Sequence, residues 1–250
     1  MITHPPIWST PPASVRPADH EIHIWRALLD RKPDELAHLA RTLSAEEWER
    51  AERFLFARDR HRYITRRGLL RTILAAYTDT APHALQFWYG PYGKPALVQA
   101  QGMPTINFNM SDSQGLALYA ITGDRQVGVD LEWHRPLTTD VERMLTSVCS
   151  EREMVSLRAC PRWRWKEAFF ICWARKEAYL KAIGEGLNRP PETVEVTLTP
   201  WETARLIAVD GNYQDTARWS YLEVAPVANY TSALVIEGYT EQLTCWAWPE

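Results

Sequence analysis

The chain has 250 residues, enough for one large domain or two small ones around a real buried core. Hydrophobic residues make up 46% and charged residues 24%, close to the globular norm, which excludes disorder as the default. A net charge of −3 leaves no global footprint for nucleic acid or an anionic membrane.

Residues 1–20 are Pro-rich and predict an extended lead-in. Met1 to Pro12 has no charged segment followed by an apolar one, and no apolar run is long enough to span a bilayer. Cys149, Cys160, Cys172 and Cys245 show neither the paired spacing of a zinc site nor the density of a disulfide scaffold. A cytoplasmic protein with no membrane partner is expected.

"EIHIWRALL" (21–29) alternates as a strand, and "SAEEWERAERFLFARD" (44–59) opens with Ser44 and Glu47 at capping-box spacing, predicting a helix. A second helix is predicted over 60–77, and "YGPYGKP" (89–95) is turn chemistry. "TINFNMS" (105–111), "GLALYAIT" (115–122) and "QVGVDLEWHRP" (126–136) read as strands, the last stopped by Pro136. "TDVERMLTSVCSEREMVSL" (139–157) predicts helix, ahead of a long helix carrying "FFICWARKEAYLKAIGEGL" (169–187). Short strands follow around 192–198, 218–224, 232–238 and 243–248. Helices followed by antiparallel-looking strands thus occur once in each half. The pattern predicts an α+β protein of two similar lobes, 1–124 and 125–250, each with helices packed on a small, largely antiparallel sheet.

Two segments concentrate charge. On the strand "VGVDLE", Val127, Val129 and Leu131 share one face and Asp130 and Glu132 the other. Two carboxylates roughly 7 Å apart repel by roughly 2 kcal/mol at an effective dielectric near 20, so in a cleft they call for a cation. On a sheet edge in water they are an ordinary solvent face. Oxygen ligands on a rigid strand suit Mg²⁺. In the long helix Glu177 and Lys181 stand four apart and can pair, which by itself is also an ordinary solvated face.

"GVDLE" (128–132) followed by "CWARKEAYLKAIGEGL" (172–187) resembles the signature pair of the 4′-phosphopantetheinyl transferases. "ERFLFARD" (52–59), "RRGLLR" (66–71), "YGKP" (92–95) and "FNMS" (108–111) precede it in family order, so matching motifs run from about Ser44 to Leu187. The match is to the long, two-lobed kind that activates polyketide, nonribosomal-peptide, fatty-acid or lysine-pathway carrier proteins. The resemblance implies a monomer with a pseudo-twofold arrangement and an active site between the lobes. The implied reaction moves phosphopantetheine from coenzyme A to a serine of an apo acyl or peptidyl carrier protein, releasing 3′,5′-ADP. It further implies that Asp130, Glu132 and Glu177 bind Mg²⁺ at the pyrophosphate. Glu177 would also take the serine proton, and Lys181 would neutralise phosphate and orient Glu177. Lys94, beside Gly93, would hold coenzyme A near its adenine and phosphates, and Arg58 would meet the 3′-phosphate. Arg62, Ser111 and Asp112 join these as implied coenzyme A contacts.

One position departs from the family. Asp112 stands in "FNMSDSQG" where a phosphate-contacting histidine is expected, putting an acceptor where a donor is wanted. A nearby arginine could take over the contact with Asp112 holding it, affinity for coenzyme A could be lowered, or the chain could be a non-catalytic homologue that binds coenzyme A or a carrier protein. Arg58, Arg62 and Arg66 share one helical stripe, while Arg60, Arg67 and Arg71 share nearly the opposite one, so all six cannot serve one phosphate. His134, Arg135 and the helix with Met144 and Leu145 lie where relatives receive the carrier. Arg143, Arg152 and Arg158 are further candidates for an acidic partner. Another Mg²⁺-nucleotide phosphotransferase would want a phosphate-cradling glycine loop, which is absent. A nucleic-acid module would rest on the arginine helix alone.

Overall fold

The structure, a computed structural model, describes residues 7–12, 15–99, 105–136, 140–224, 227–240 and 242–249. Part of the expected lead-in, residues 1–6 and 13–14, lies outside them. A five-stranded sheet is built from β1 (Trp8–Ser9), β2 (Glu21–Leu28), β5 (Asn107–Ser113), β6 (Leu116–Thr122) and β12 (Gln242–Ala247). Its order is β1-β12-β2-β6-β5. A second sheet has the order β10-β11-β7, from β7 (Val127–Trp133), β10 (Trp219–Leu222) and β11 (Tyr230–Glu237). Two hairpins, β3–β4 (Phe87–Tyr89, Pro95–Leu97) and β8–β9 (Val194–Val196, Leu206–Val209), complete the strands.

Period-two burial stacks these parts in four layers. Trp25, Ala27, Ala117, Tyr119 and Ile121 face the helix α3 (Ala57–Thr78), meeting Leu69, Leu70, Ile73 and Leu74. From the other face Ile22, Ile24, Leu116, Leu118 and Ala120 meet Val127, Val129, Leu131, Leu234 and Ile236 of the second sheet. Ala233 and Val235, on the far side of that sheet, pack against α6 (Trp165–Ile183). The architecture is therefore α+β, helix on sheet on sheet on helix.

Capping sets the helix starts. Ser44 and Glu47 close the expected capping box of α2 (Ala45–Glu52), and Ser150 and Glu153 close another on α5 (Glu151–Arg158). The helix expected over 44–59 stops at Glu52, because Phe54 leaves the axis to lie on Tyr63 of α3, ring centres 5.2 Å apart. The helix expected over 139–157 is two: α4 (Val141–Thr146), then α5 behind its own cap. Residues 137–139 are outside the described set. A further helix, α1 (Pro33–Ala40), opens on a proline with Asp34 and Glu35 in its first turn.

Two local features position the site. Asn109, Ser111 and Ser113 of β5 accept the backbone N–H groups of Val129, Leu131 and Trp133 at 3.0, 3.2 and 3.1 Å. Side chains thus complete the edge of β7 where a neighbouring strand would otherwise sit. Gly128 lets α6 come down onto β7: a Cβ there would lie 2.0 Å from the Ala178 carbonyl oxygen and 2.5 Å from the Ala182 nitrogen.

Candidate active site

The even residues of β7 face α6, so Asp130 and Glu132 look at the helix face that carries Trp173, Glu177 and Lys181. Lys181 Nζ donates to Asp130 Oδ1 at 2.5 Å and to Ser111 Oγ at 3.0 Å. Ser111 Oγ donates in turn to Asp130 Oδ1 at 3.0 Å, and Trp173 Nε1 donates to Glu132 Oε1 at 2.9 Å. These five side chains, with Glu177 beside Lys181 and Asp130, make one half-buried cluster of six from β5, β7 and α6. Spacing paired Asp130 with Glu132 and Glu177 with Lys181, and the family resemblance joined the two pairs; the clasp by Trp173 was not expected, since only the register of α6 on β7 makes it.

The electrostatics of the cluster are unbalanced. Three carboxylates face one ammonium. Burial, and after it the neighbouring Asp130, pushes the Glu132 carboxyl up to about 7. Burial also raises Glu177, against the pull of Lys181. Asp130 Oδ2 and Glu177 Oε1 are buried without any hydrogen-bond partner. Carboxylate oxygens shut away from water without a partner are costly unless a cation or a proton takes them, and a donor set made wholly of oxygen is the kind Mg²⁺ takes. The ligand oxygens of the three acids are not gathered within 4.8 Å of one another, whereas atoms of Cys149, Glu153 and Cys172 are. That second group has other business. Both Glu153 oxygens are taken, by Lys176 Nζ at 2.6 Å, Ser150 N at 2.8 Å and Val196 N at 2.7 Å.

The charged run of α6 therefore divides. Glu177 and Lys181 belong to the cluster. Lys176 is wholly buried on Glu153 and the Pro191 carbonyl, and Arg175 is buried on Thr197 and Glu223. These two clamp α6 to α5 and to the segments around Pro191, Thr197 and Glu223.

The arginines of α3 divide as well. Arg67 and Arg71 are buried on Glu47, their Nε atoms 2.7 and 2.6 Å from its two oxygens. Arg62 grips Asp30 with two donors, at 2.7 and 2.6 Å. Gly115 makes room for that pair, since a Cβ there would stand 2.9 Å from the Arg62 Nη2. Arg58 lies exposed at the start of α3, beside Asp59. Arg66 reaches across to Asp112, Nη1 to Oδ1 2.5 Å.

Lys94, in the turn that follows Gly93 (φ +83°), is directed inward. Its Nζ donates to the carbonyl of Ala182 at 2.7 Å, of Val127 at 3.3 Å, and to Gln126 Oε1 at 3.2 Å. Burial lowers its pKa to about 8. It caps the end of α6, next to Gly184, whose positive φ of 78° ends the helix. Of the carrier-docking candidates, Leu145 is fully buried in the core and His134 stacks on Phe170 at 4.9 Å. Arg135, Arg143, Arg152 and Arg158 stay exposed. Among the described residues no helix is long and apolar enough to cross a membrane.

Comparison with known proteins gives matches across both halves. The model of the 4′-phosphopantetheinyl transferase superfamily matches residues 126–235, and that of the 4′-phosphopantetheinyl transferase N-terminal family matches residues 29–122. The chain is 38% identical over 246 residues to the 4′-phosphopantetheinyl transferase HetI of a Nostoc species, covering 98% of this chain and 99% of that one. A 4′-phosphopantetheinyl transferase of Bacillus subtilis is 30% identical over 62% of this chain and 66% of its own. The L-aminoadipate-semialdehyde dehydrogenase-phosphopantetheinyl transferase of Xenopus laevis is 31% identical over 64% of this chain and 56% of its own.

Proposed function

The chain belongs to the 4′-phosphopantetheinyl transferase superfamily and is a phosphopantetheinyl transferase, and from that premise we propose that it transfers the 4′-phosphopantetheine of coenzyme A to a serine of an apo acyl or peptidyl carrier protein, with Mg²⁺. One observation carries the reading: buried oxygens of Asp130 and Glu177, on facing elements, lack partners beside a single lysine. Asp130, Glu132 and Glu177 would hold the metal, which neutralises pyrophosphate charge when bound.

The serine Oγ attacks the phosphorus bearing the pantetheine arm, the bond from that phosphorus to the bridging oxygen breaks, and 3′,5′-ADP departs with the electron pair. Glu177 accepts the hydroxyl proton, a task that its burial-raised carboxyl favours. Lys181, at Asp130 and Ser111, supplies fixed positive charge where phosphate charge grows. Arg58, Arg62, Gly93 and Lys94 would flank the adenosine side, with Lys94 also fixing the end of α6. Arg135, Arg143 and Arg158 remain available to an acidic carrier protein. Both sheets that frame the cluster come from one chain, which favours a monomer, and the reaction's substrates favour the cytoplasm.

Asp112 alone speaks for a homologue that binds without turnover, and its pairing with Arg66 removes the conflict of charge. The test is the intact mass of an apo carrier protein incubated with the chain, coenzyme A and Mg²⁺. We expect a gain of one phosphopantetheine, lost with EDTA and lost in Glu177→Gln. No gain with several carriers, although coenzyme A binds, would establish the binding-only alternative.

A further inference from the structure

Arg66 is the arginine of α3 whose bonding is left half done. Arg67 and Arg71 are engaged with Glu47, and Arg62 is clasped by Asp30 through two donors. Arg66 gives Nη1 to Asp112, lies 5.5 Å from the Tyr63 ring centre, and keeps a buried Nε with no hydrogen-bond partner. Buried guanidinium donors are rarely left unpaired, so the group has bonding capacity that Asp112 does not use. A planar fork with five donors can rest one edge on a carboxylate and offer the rest to an anion.

Its position says which anion. Asp112 follows Ser111 on β5, and alternation turns the two to opposite sides. Ser111 touches Asp130 and Lys181, while Asp112 faces α3. Arg66 thus stands across the edge strand from the carboxylate cluster. Coenzyme A carries a pyrophosphate and, separated from it by the ribose, a 3′-phosphate. With the pyrophosphate at the cluster, the anion left for the far side of the strand is the 3′-phosphate.

We propose that Arg66 recognises the 3′-phosphate of the donor and that Asp112 is its positioning residue, an inference that rests on the coenzyme A reading above. Asp112 then does by proxy what a histidine in its place would do directly. The pair would be a local exchange, arginine plus aspartate for one imidazolium.

The test is calorimetric titration with coenzyme A and with 3′-dephospho-coenzyme A, at pH 6 with Mg²⁺ present, on the wild type, Arg66→Gln, Asp112→His and the double variant. The wild type should prefer coenzyme A. Arg66→Gln should weaken coenzyme A by about tenfold and leave the dephospho form unchanged. On the Asp112→His background the same change should cost less than about threefold, since the imidazolium takes the phosphate itself. Arg66→Lys, which keeps the charge and the helix surface, should retain part of the preference and serves if the glutamine variant unfolds. Equal loss for both donors, no loss for either, or no preference in the wild type would each overturn the assignment. Because binding is read without turnover, a chain that fails to transfer counts against the proposed reaction and not against Arg66.

Discussion

Lys94 shows how a single side chain couples the turn that carries it to α6. Its ammonium rests on Ala182 and Val127 carbonyls, yet burial dominates and pulls its pKa down to about 8, from 10.5 in an open chain. Between those values the unfolded chain binds more protons, so stability rises with pH through the window. The penalty for charging Lys94 is complete below about pH 8 and gone above about 10.5. Lys94→Met has no such dependence. Urea unfolding at pH 7 and pH 9.5 should show the wild type gaining about 1–2 kcal/mol on the variant, after allowance for its partial exposure. Parallel behaviour at the two pH values would mean that the ammonium is hydrated and the contact with α6 unimportant. At this scale period two and a spacing of four paired Asp130 with Glu132 and Glu177 with Lys181, and it was the family resemblance that set the two pairs in one site. The sequence was silent about Arg175, Lys176, Arg67 and Arg71, whose partners Glu223, Glu153 and Glu47 come from other elements. A buried charge and a solvated one look alike until the packing partner is known.

At the scale of elements, the site depends on how closely α6 can approach β7. Gly128→Ala would drive a methyl into the Ala178 carbonyl at 2.0 Å, backbone against backbone, with no flexible atom to yield. The expected outcome is a loss of about 3 kcal/mol or more, seen as a lower unfolding midpoint, with transfer falling because Asp130 and Glu177 are pushed apart. A methyl on Gly186 would meet nothing within 4 Å, but the φ of +52° there adds strain, so its alanine variant should cost only about 1 kcal/mol. Similar losses at the two glycines would refute the close-packing argument. Element boundaries were legible where a capping pair marks them, as at Ser44. The start of α5 at Ser150 carried the same signal inside an apparently continuous helical run, and α1 carried a proline at its first turn. The break after Glu52 carried none, since it follows from the tertiary contact of Phe54 with Tyr63. Nor could pattern alone foresee that β12 runs parallel to β2, Gln242 opposite Glu21, because pairing across the whole chain length leaves no local trace.

For the molecule as a whole, that last pairing decides whether the two lobes expected from sequence, 1–124 and 125–250, behave as two bodies. β12 lies between β1 and β2 in the first sheet, buries Cys245, and sets Trp246 beside Trp25 with ring centres 6.3 Å apart. The residues that follow the second sheet in the chain therefore complete the first. Between the sheets, Ile24, Leu118 and Ala120 share one core with Val129, Leu131 and Leu234. Neither sheet can open that face without exposing the other's apolar side, so unfolding either should unfold both. Thermal unfolding followed by tryptophan fluorescence and by far-ultraviolet circular dichroism should give coincident single transitions. Deleting residues 241–250 should abolish the transition altogether rather than halve it, since the loss of β12 uncovers β2 and through it the shared core. Two separated transitions in the full chain, or a surviving cooperative one in the truncated chain, would show the lobes to be independent. The carboxylate cluster, built from β5 of one sheet, β7 of the other and α6 behind it, would then need some other reason to hold its shape.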